Sequence, residues 1–277
     1  MSAGTLLVVA TPIGNLADAS PRALDALRTA HLVACEDTRT TRTLLGRHGI
    51  ATRTIALHEH NERVMSGKLV SQLLEGKTIA LVSDAGTPGL SDPGALLVEA
   101  AHRAGIRVSP LPGPSAAAAA FSVSGFSADR FLFAGFLPAG AAARRKALQA
   151  LELPWPVILY EAPHRIAAAL EDLRARFGDQ REVLIARELS KKFEEVARLP
   201  LGQAAAWLAG GAHRQQGEFV LVLAPGQAAP AAAALDPERV LETLLEALPP
   251  SEAAKLAARI TGAPRNALYR KALERAK

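Results

Sequence analysis

The chain has 277 residues, 49% hydrophobic and 21% charged, a globular composition that excludes extended disorder and leaves room for one large or two modest domains. Lysine and arginine exceed aspartate and glutamate by 32 to 27, which favours an anionic partner. The single cysteine, Cys35, excludes an internal disulfide and a multi-cysteine metal site. No signal peptide or apolar run of ~20 residues is visible, so we expect a cytoplasmic protein that does not associate with membranes.

Short apolar runs alternate with helical patterns through the first part of the chain. Strands are predicted at 6–10, 31–35, 54–57, 78–82 and 106–109. Helices are predicted to open at Ser20-Pro21, to cover 38–48 and 62–74, to run from Asp92 to Gly105, and to pass through 120–123. This alternation predicts an α/β domain over residues 1–125, built on a mostly parallel sheet with right-handed crossovers.

Three loops rich in glycine and proline follow strands of this sheet, at 11–15, 83–94 and 110–115. Such loops expose backbone groups, and we expect them to converge on one ligand-binding crevice. Neither G-x-x-x-x-G-K-[ST] nor G-x-G-x-x-G occurs, which argues against a nucleotide held through its pyrophosphate. A nucleoside ligand without phosphates stays open. Asp84 and Asp92 in the central loop are interpreted as structural, as a loop carboxylate and a helix cap.

The pattern breaks near Gly125, and a second series of strands and helices predicts another α/β domain over 126–225 with a parallel or mixed sheet. An alanine- and proline-rich linker at 226–235 precedes a helical tail at 236–277. Within the tail, a turn at 261–263 separates two helices, as in a helix-turn-helix. From Lys255 onward seven basic residues face one acidic residue, a net +6, which indicates either a solvated face or a nucleic-acid contact.

Polar clusters follow several predicted strands. The segment 35–39 carries two acids and an arginine, typical either of helix capping by Asp37 or Thr38 or of substrate binding. His58 and His60 have a spacing that suits a metal, but the segment also suits a polar cleft edge, and we predict no metal. Clusters at 160–165 and 187–195 suit either solvated loop edges or a polar wall for RNA.

Nine separated blocks together resemble the tetrapyrrole methylase superfamily, and most closely its ribosomal RNA branch. They are VATPIGNL at 9–16, ACEDTR at 34–39, HEHNE at 58–62, ALVSDAGTP at 80–88, SDPG at 91–94, PLPGPSA at 110–116, DRFLFAGFLP at 129–138, YEAPHR at 160–165 and ARELSKKFEE at 186–195. The resemblance covers nearly the whole chain. It implies two α/β domains with S-adenosylmethionine in the cleft between them, a helix-turn-helix tail and a homodimer.

The same resemblance implies 2'-O-methylation of a cytidine in the 16S ribosomal RNA of the 30S subunit. Carried over position by position, the cofactor-binding residues are Pro12, Gly86, Thr87, Leu90, Ser115, Ala116, Tyr160 and Glu161. A ribose hydroxyl is weakly acidic, so a base or a nearby cation must assist proton loss. The candidates for this role are Lys192, Glu194, His60, Glu36 and Arg39.

Two other functions are compatible with parts of the sequence. One is C-methylation of a tetrapyrrole, the superfamily's other activity. Pro12 in the first loop and the added basic tail argue against this activity. The other is a non-enzymatic nucleic-acid binder that acts through the helix-turn-helix.

Overall fold

Two five-stranded sheets organise the larger part of the chain, and a group of three helices forms the rest. The computed structural model describes residues 3–226 and 236–275. Of these residues, those from 3 to 225 form one compact unit and those from 236 to 275 belong to a second.

The first sheet is entirely parallel, with strand order β3-β2-β4-β1-β5. Its strands are β1 (Thr5–Val9), β2 (Leu32–Cys35), β3 (Thr54–Ala56), β4 (Ile79–Leu81) and β5 (Arg107–Leu111). The associated helices are α1 (Pro21–Thr29), α2 (Thr38–Arg47), α3 (Glu62–Leu74), α4 (Ala95–Arg103) and α5 (Ala116–Ser122), with a short 3-10 turn at Leu16–Asp18. The predicted alternation and parallel sheet are therefore confirmed.

Both faces of this sheet are covered, which explains why its strands read as continuous apolar runs. All four residues of β2 are buried. Along β1, Val9 belongs to the hydrophobic cluster on one face and Leu6 to the cluster on the other. The result is a layered core that fixes the strand ends from which the loops emerge.

Helix α4 begins at Ala95, three residues later than the predicted start at Asp92. Its N-terminus is capped from another helix, because Glu62 Oε1 accepts hydrogen bonds from the backbone N–H groups of Gly94 at 2.8 Å and Leu96 at 2.9 Å. The interpretation of Asp92 as a helix cap is therefore wrong. The cap comes from Glu62, which is only 7% exposed and precedes Gly94 by 32 residues in the chain.

The second sheet is mixed, with strand order β6-β7-β10-β8-β9. Its strands are β6 (Leu132–Phe136), β7 (Val157–Glu161), β8 (Glu182–Arg187), β9 (Glu195–Pro200) and β10 (Phe219–Leu223). Only β6 and β7 pair in parallel, while β10 pairs antiparallel with β7 and β8, and β9 antiparallel with β8. The helices are α6 (Ala141–Leu148), α7 (Ile166–Phe177) and α8 (Leu201–Ala209), with 3-10 turns at Gln149–Leu151 and Ala212–Gln215.

Two features of this region depart from the simplest interpretation of the sequence. The edge strand β9 was not predicted, because charged residues interrupt its apolar residues and it ends in Pro200. In the structure Val196 is 41% exposed. Helix α5, which precedes the predicted boundary at residue 125, packs through Ala117 and Ala120 into the core cluster of the second sheet. The chain thus crosses to the second sheet before the sequence pattern changes.

The second unit contains α9 (Pro237–Leu245), α10 (Pro250–Thr261) and α11 (Arg265–Arg275). These helices share a small core whose members are Leu241, Ala253, Ala254, Ala257, Leu268 and Ala272. Gly262 has φ of +75° and ends α10 in the left-handed conformation, which allows the short turn before α11. The predicted helix-turn-helix is confirmed, whereas residues 227–235 of the predicted linker lie outside the described residues. Within 3–226 and 236–275, no helix has the length and apolar character needed to cross a membrane.

Candidate active site

A cavity of about 370 Å³ lies between the two sheets. On one side it is bounded by the loops that follow β1, β4 and β5, at the carboxyl edge of the parallel sheet. On the other side it is bounded by the ends of strands β6, β7, β8 and β10. Its lining residues are Ile13, Asp84, Ala85, Gly86, Thr87, Leu90, Ser91, Asp92, Ser115, Ala116, Phe136, Tyr160, Glu161, Ala162, Pro163, Ala186, Leu189, Glu218, Phe219 and Val220.

The three glycine- and proline-rich loops meet at this cavity, as predicted, because β4, β1 and β5 are neighbours in the sheet. Thr11 and Gly86 exchange backbone hydrogen bonds of 2.9 and 3.0 Å. The Thr87 hydroxyl donates to the carbonyl of Pro114 at 3.2 Å. Gly86 has φ of +84°, a conformation that strains any residue with a Cβ. The loops therefore form one hydrogen-bonded floor.

Aromatic side chains form the opposite wall. The Tyr160 ring packs edge-on against Phe133 and Phe136, with ring centroids 5.0 and 5.6 Å apart. Its hydroxyl accepts a hydrogen bond from the backbone N–H of Ala117 at 3.2 Å. Burial raises the pKa of Tyr160, so the phenol stays neutral near neutral pH. Phe136 is 53% exposed and leaves an apolar ring face available to a ligand.

Four carboxylates line the cavity, and two of them are already paired. Glu161, 2% exposed, lies 3.0 Å from the guanidinium of Arg165, and Glu218 lies 2.9 Å from the ammonium of Lys191. Asp84 and Asp92 have no lysine or arginine partner among the described residues. Since no lysine or arginine from that part of the chain lines the cavity either, its electrostatics favour a cation and disfavour a phosphate.

The acidic groups around the two unpaired aspartates interact. Burial and the charges of Glu36 and Asp84 together raise the pKa of Asp92 to about 6, against a hydrogen bond from Ser83 that lowers it. Burial and the charge of Asp84 also raise the pKa of Glu36, while His58 lowers it. The cavity thus presents carboxylates that a bound positive charge would stabilise in their ionised form.

A segment between β8 and β9, residues 188–194, closes over the first loop and is here called the strap. Glu188 and Ser190 have φ of +52° and +66°, which is costly for residues other than glycine. The Ser190 hydroxyl hydrogen-bonds the carboxylate of Asp18. A Cβ on Gly14 would lie 2.4 Å from Cγ of Lys191. The strap and the first loop therefore fit together only because Gly14 has no side chain.

Most of the cofactor-binding residues suggested by the resemblance come together. The cavity is lined by Gly86, Thr87, Leu90, Ser115, Ala116, Tyr160 and Glu161. Pro12 instead lines a neighbouring cavity of about 260 Å³, which shares Asp84 with the first.

The five residues suggested to assist proton loss do not line either cavity. Arg39 is exposed and pairs with Asp37 at 2.8 Å. Asp37 caps the N-terminus of α2, which is one of the two roles predicted for this segment. The exposed His60 ring packs against His58.

Lys192 and Glu194 lie on the outer side of the strap, where the ammonium of Lys192 stacks on Phe193 and Glu194 accepts a hydrogen bond from the backbone N–H of Ser190. Only Glu36, through its interaction with Asp84 and Asp92, is linked electrostatically to the main cavity.

Two cavity-lining residues were not among the predicted site residues. Asp84 and Asp92 were assigned structural roles, and both line the main cavity. The available signal was their position in a strand-end loop of an open sheet, where ligands usually bind. For Asp84 a structural role is also observed, because its Oδ1 accepts a hydrogen bond of 2.9 Å from the backbone N–H of Asp37. Among the described residues, no three histidine, cysteine, aspartate or glutamate side chains are arranged to hold a metal.

Comparison with known proteins agrees with this geometry. The sequence profile of the Tetrapyrrole (Corrin/Porphyrin) Methylases matches residues 5–205, and a profile described as the RsmI C-terminal HTH domain matches residues 231–276. A solved structure of uroporphyrin-III C-methyl transferase from Thermus thermophilus complexed with S-adenosylhomocysteine has a TM-score of 0.55 at 16% identity, covering 81% of this chain and 97% of that chain. At that identity the likeness concerns the fold alone.

Two relatives extend over the whole chain. The protein named ribosomal RNA small subunit methyltransferase I from Pseudomonas aeruginosa is 52% identical, covering 99% of both chains. The protein of the same name from Escherichia coli O157:H7 is 48% identical, covering 99% of this chain and 96% of its own length. The chain therefore belongs to the tetrapyrrole methylase family and, within it, to the family of ribosomal RNA small subunit methyltransferase I.

Proposed function

We propose that this protein transfers the methyl group of S-adenosylmethionine to the 2'-hydroxyl of a cytidine in 16S ribosomal RNA. The observation that carries the proposal is the lining of the main cavity, where a glycine-rich floor and an aromatic wall surround two unpaired aspartates. The names of the relatives supply the class of acceptor. The position on the nucleotide follows from the resemblance of the motifs.

The residues of the cavity fit this cofactor. It supplies an electrophilic methyl group on a positively charged sulfur and carries no phosphate, so a cavity without lysine or arginine suits it. Asp84 and Asp92 would balance the positive charges, and the apolar face of Phe136 would hold the adenine ring. The backbone of Gly86 and Thr87 would hold polar groups of the cofactor at the loop floor. Rigid positioning of the two reactants is itself a large source of rate in such a transfer.

Proton loss from the acceptor hydroxyl must be assisted by the protein. Of the five residues suggested by the sequence, we retain Glu36 as a contributor, since its carboxylate interacts with the cavity aspartates. The exposed residues Arg39, His60 and Lys192 are better suited to contacts with RNA outside the cavity, whereas the Glu194 carboxylate is engaged by the backbone N–H of Ser190.

The helical tail supplies a surface suited to RNA. On α11 the exposed residues Asn266, Tyr269 and Arg270 share one face, Arg265 is exposed in the first turn, and Leu268 and Ala272 are buried. Arginines that contact phosphates and an aromatic ring that stacks on an unpaired base are the usual elements of single-stranded RNA recognition. We propose that this face contacts the RNA.

The proposed acceptor is the 30S subunit, which the protein would meet in the cytoplasm, and the resemblance implies that it acts there as a homodimer. Light scattering of the purified protein tests the dimer directly. A mass equal to one chain at working concentrations would contradict it.

The experiment that tests the function is methyl transfer from labelled S-adenosylmethionine, with 30S subunits and a uroporphyrinogen offered in parallel. Label in 16S RNA, released by nuclease digestion as 2'-O-methylcytidine, is the expected result. Label in the tetrapyrrole and none in RNA would instead support the tetrapyrrole methylase alternative. Stoichiometric nucleic-acid binding with no transfer to either acceptor would support a non-enzymatic binder.

A further inference from the structure

A second cavity, of about 260 Å³, lies beside the main one and has no role in the function described so far. The two cavities meet at Asp84, which lines both. A group bound in either cavity can therefore lie next to this side chain. In a direct methyl transfer, the acceptor atom must approach the donor closely, within about 3–3.5 Å.

The lining of the second cavity has the chemistry that a nucleoside requires. Exposed hydroxyl groups come from Thr40 and Thr43 of α2, while Leu16 and Leu44 contribute apolar surface. Thr41 also lines the cavity, but it is buried and its hydroxyl hydrogen-bonds Cys35. Hydroxyls can hydrogen-bond sugar and base edges, and apolar side chains can cover a base face. No lysine or arginine of the described chain lines this cavity. It therefore suits the uncharged sugar and base of a nucleotide better than its phosphate.

One cation lies on the same helix beside the recess. Arg39 is exposed on α2, one residue before Thr40, and pairs with Asp37 at 2.8 Å. Arg42 is also exposed, but it lines a separate cavity on the other side of α2. An RNA strand that places one nucleoside in the recess would bring a flanking phosphate close to Arg39.

The position of Asp84 adds a chemical role. Its Oδ1 accepts a hydrogen bond of 2.9 Å from the backbone N–H of Asp37, which orients the carboxylate. Within residues 3–226 and 236–275, no hydrogen-bond donor engages Oδ2, and no cation pairs with the carboxylate. Oδ1 of Asp84 thus holds the carboxylate in position, and Oδ2 can accept a hydrogen bond or a proton from a group bound in either cavity.

We propose that the second cavity is the acceptor subsite, which holds the target cytidine of a single-stranded RNA segment, and that Asp84 is the catalytic residue that removes the proton from its 2'-hydroxyl. In the step, the ribose oxygen forms a bond to the methyl carbon and the carbon–sulfur bond breaks, with its electron pair staying on sulfur. The hydroxyl proton passes to the Asp84 carboxylate. This inference rests on the proposed function and assigns its substrate site.

The test compares two tryptophan substitutions in the full-length protein. Thr43 and Thr29 are both exposed helical threonines whose hydroxyls donate to the carbonyl four residues earlier, at 3.2 and 2.8 Å. Only Thr43 lines the second cavity. Methyl transfer to 30S subunits is measured for each variant, and the dissociation constant of S-adenosylhomocysteine is measured by calorimetry.

Thr43→Trp fills the subsite, and by displacing the acceptor it is expected to slow transfer by about a hundredfold. Thr29→Trp should transfer at the wild-type rate, and both variants should bind S-adenosylhomocysteine normally. Asp84→Asn keeps an oxygen acceptor for Asp37 and should lose on the order of a hundredfold or more in the transfer rate at unchanged acceptor affinity.

Wild-type transfer by Thr43→Trp would overturn the inference, as would an equal loss of cofactor affinity, which would assign the second cavity to the cofactor. Either result leaves the proposed function intact, provided that the wild-type protein methylates the subunit. Failure of the wild-type protein to label 30S RNA is a separate outcome that refutes the proposed function and the inference resting on it.

Discussion

The ionisation of Asp92 gives the most direct prediction about the cofactor cavity. Burial, together with the like charges of Glu36 and Asp84, raises the pKa of this carboxyl to about 6, and a hydrogen bond from Ser83 opposes the rise. Tyr160 also faces Asp92 but is itself neutral near neutral pH. A bound sulfonium prefers the ionised aspartate, so the proposed cofactor should bind less well as pH falls through about 6.

The size of this effect follows from the titration. With a pKa of about 6, Asp92 is ionised to about 90% at about pH 7 and to about 10% at about pH 5. If binding requires the ionised form, affinity for S-adenosylmethionine falls up to about tenfold over that interval. S-adenosylhomocysteine lacks the sulfonium charge and should show a smaller dependence. In Asp92→Asn the pH dependence of S-adenosylmethionine binding should be largely lost.

Calorimetric titration of both ligands between about pH 5 and 8 measures these affinities. Equal pH dependence for the two ligands, or an unchanged profile in Asp92→Asn, would refute the role of this carboxylate.

The same shift has an independent consequence for stability. Because the folded-state pKa lies above the ordinary 3.8, the folded protein is destabilised as pH rises from about 4 to 6. Asp92→Asn should therefore raise the melting temperature above that window and have little effect below it.

Three further predictions test the packing and the tail. Gly14→Ala should lower the free energy of unfolding by about 1–3 kcal/mol, because the added Cβ clashes with Lys191. The control Gly46→Ala, at a helical site with open space around it, should raise the free energy of unfolding by about 0.5–1 kcal/mol. Chemical denaturation of both variants measures the contrast, and equal effects would contradict it. Glu62→Ala should cost about 1–3 kcal/mol by leaving the N-terminus of α4 uncapped, measured in the same way; an unchanged midpoint would show that the cap is replaceable. Arg270→Gln should weaken RNA binding and reduce the slope of the logarithm of the binding constant against the logarithm of salt concentration by about one. Fluorescence anisotropy at several salt concentrations measures this slope. An unchanged slope would show that Arg270 does not contact an RNA phosphate.

The parts of the fold that depend on local pattern could be predicted from the sequence. Apolar runs such as 78–82 and the glycine that ends α10 carry their signal within a few residues. The convergence of the three loops followed from a general property of parallel sheets, since strand ends at one edge lie together. The helical tail was visible because its turn and its charge asymmetry are local as well.

The sequence does not reveal contacts between residues far apart in the chain. The cap of α4 comes from Glu62, 32 residues before Gly94 in the chain, so Asp92 was assigned a role that a distant side chain fills. Asp84 lines two cavities only because loops from separate strands meet there. Lys192 belongs to a motif that resembles the family, and in the structure it is exposed on the strap. Composition and spacing do not encode these relations.

The central claim concerns which atom receives the methyl group, and it is tested most directly on ribosomes. Nucleoside analysis by mass spectrometry of 16S RNA from cells lacking this protein should show loss of one 2'-O-methylcytidine. Purified protein with S-adenosylmethionine should restore that nucleoside on 30S subunits from the same cells. An unchanged set of modified nucleosides in the deletion strain, or restoration of a methyl group on a base instead of the ribose, would contradict the account.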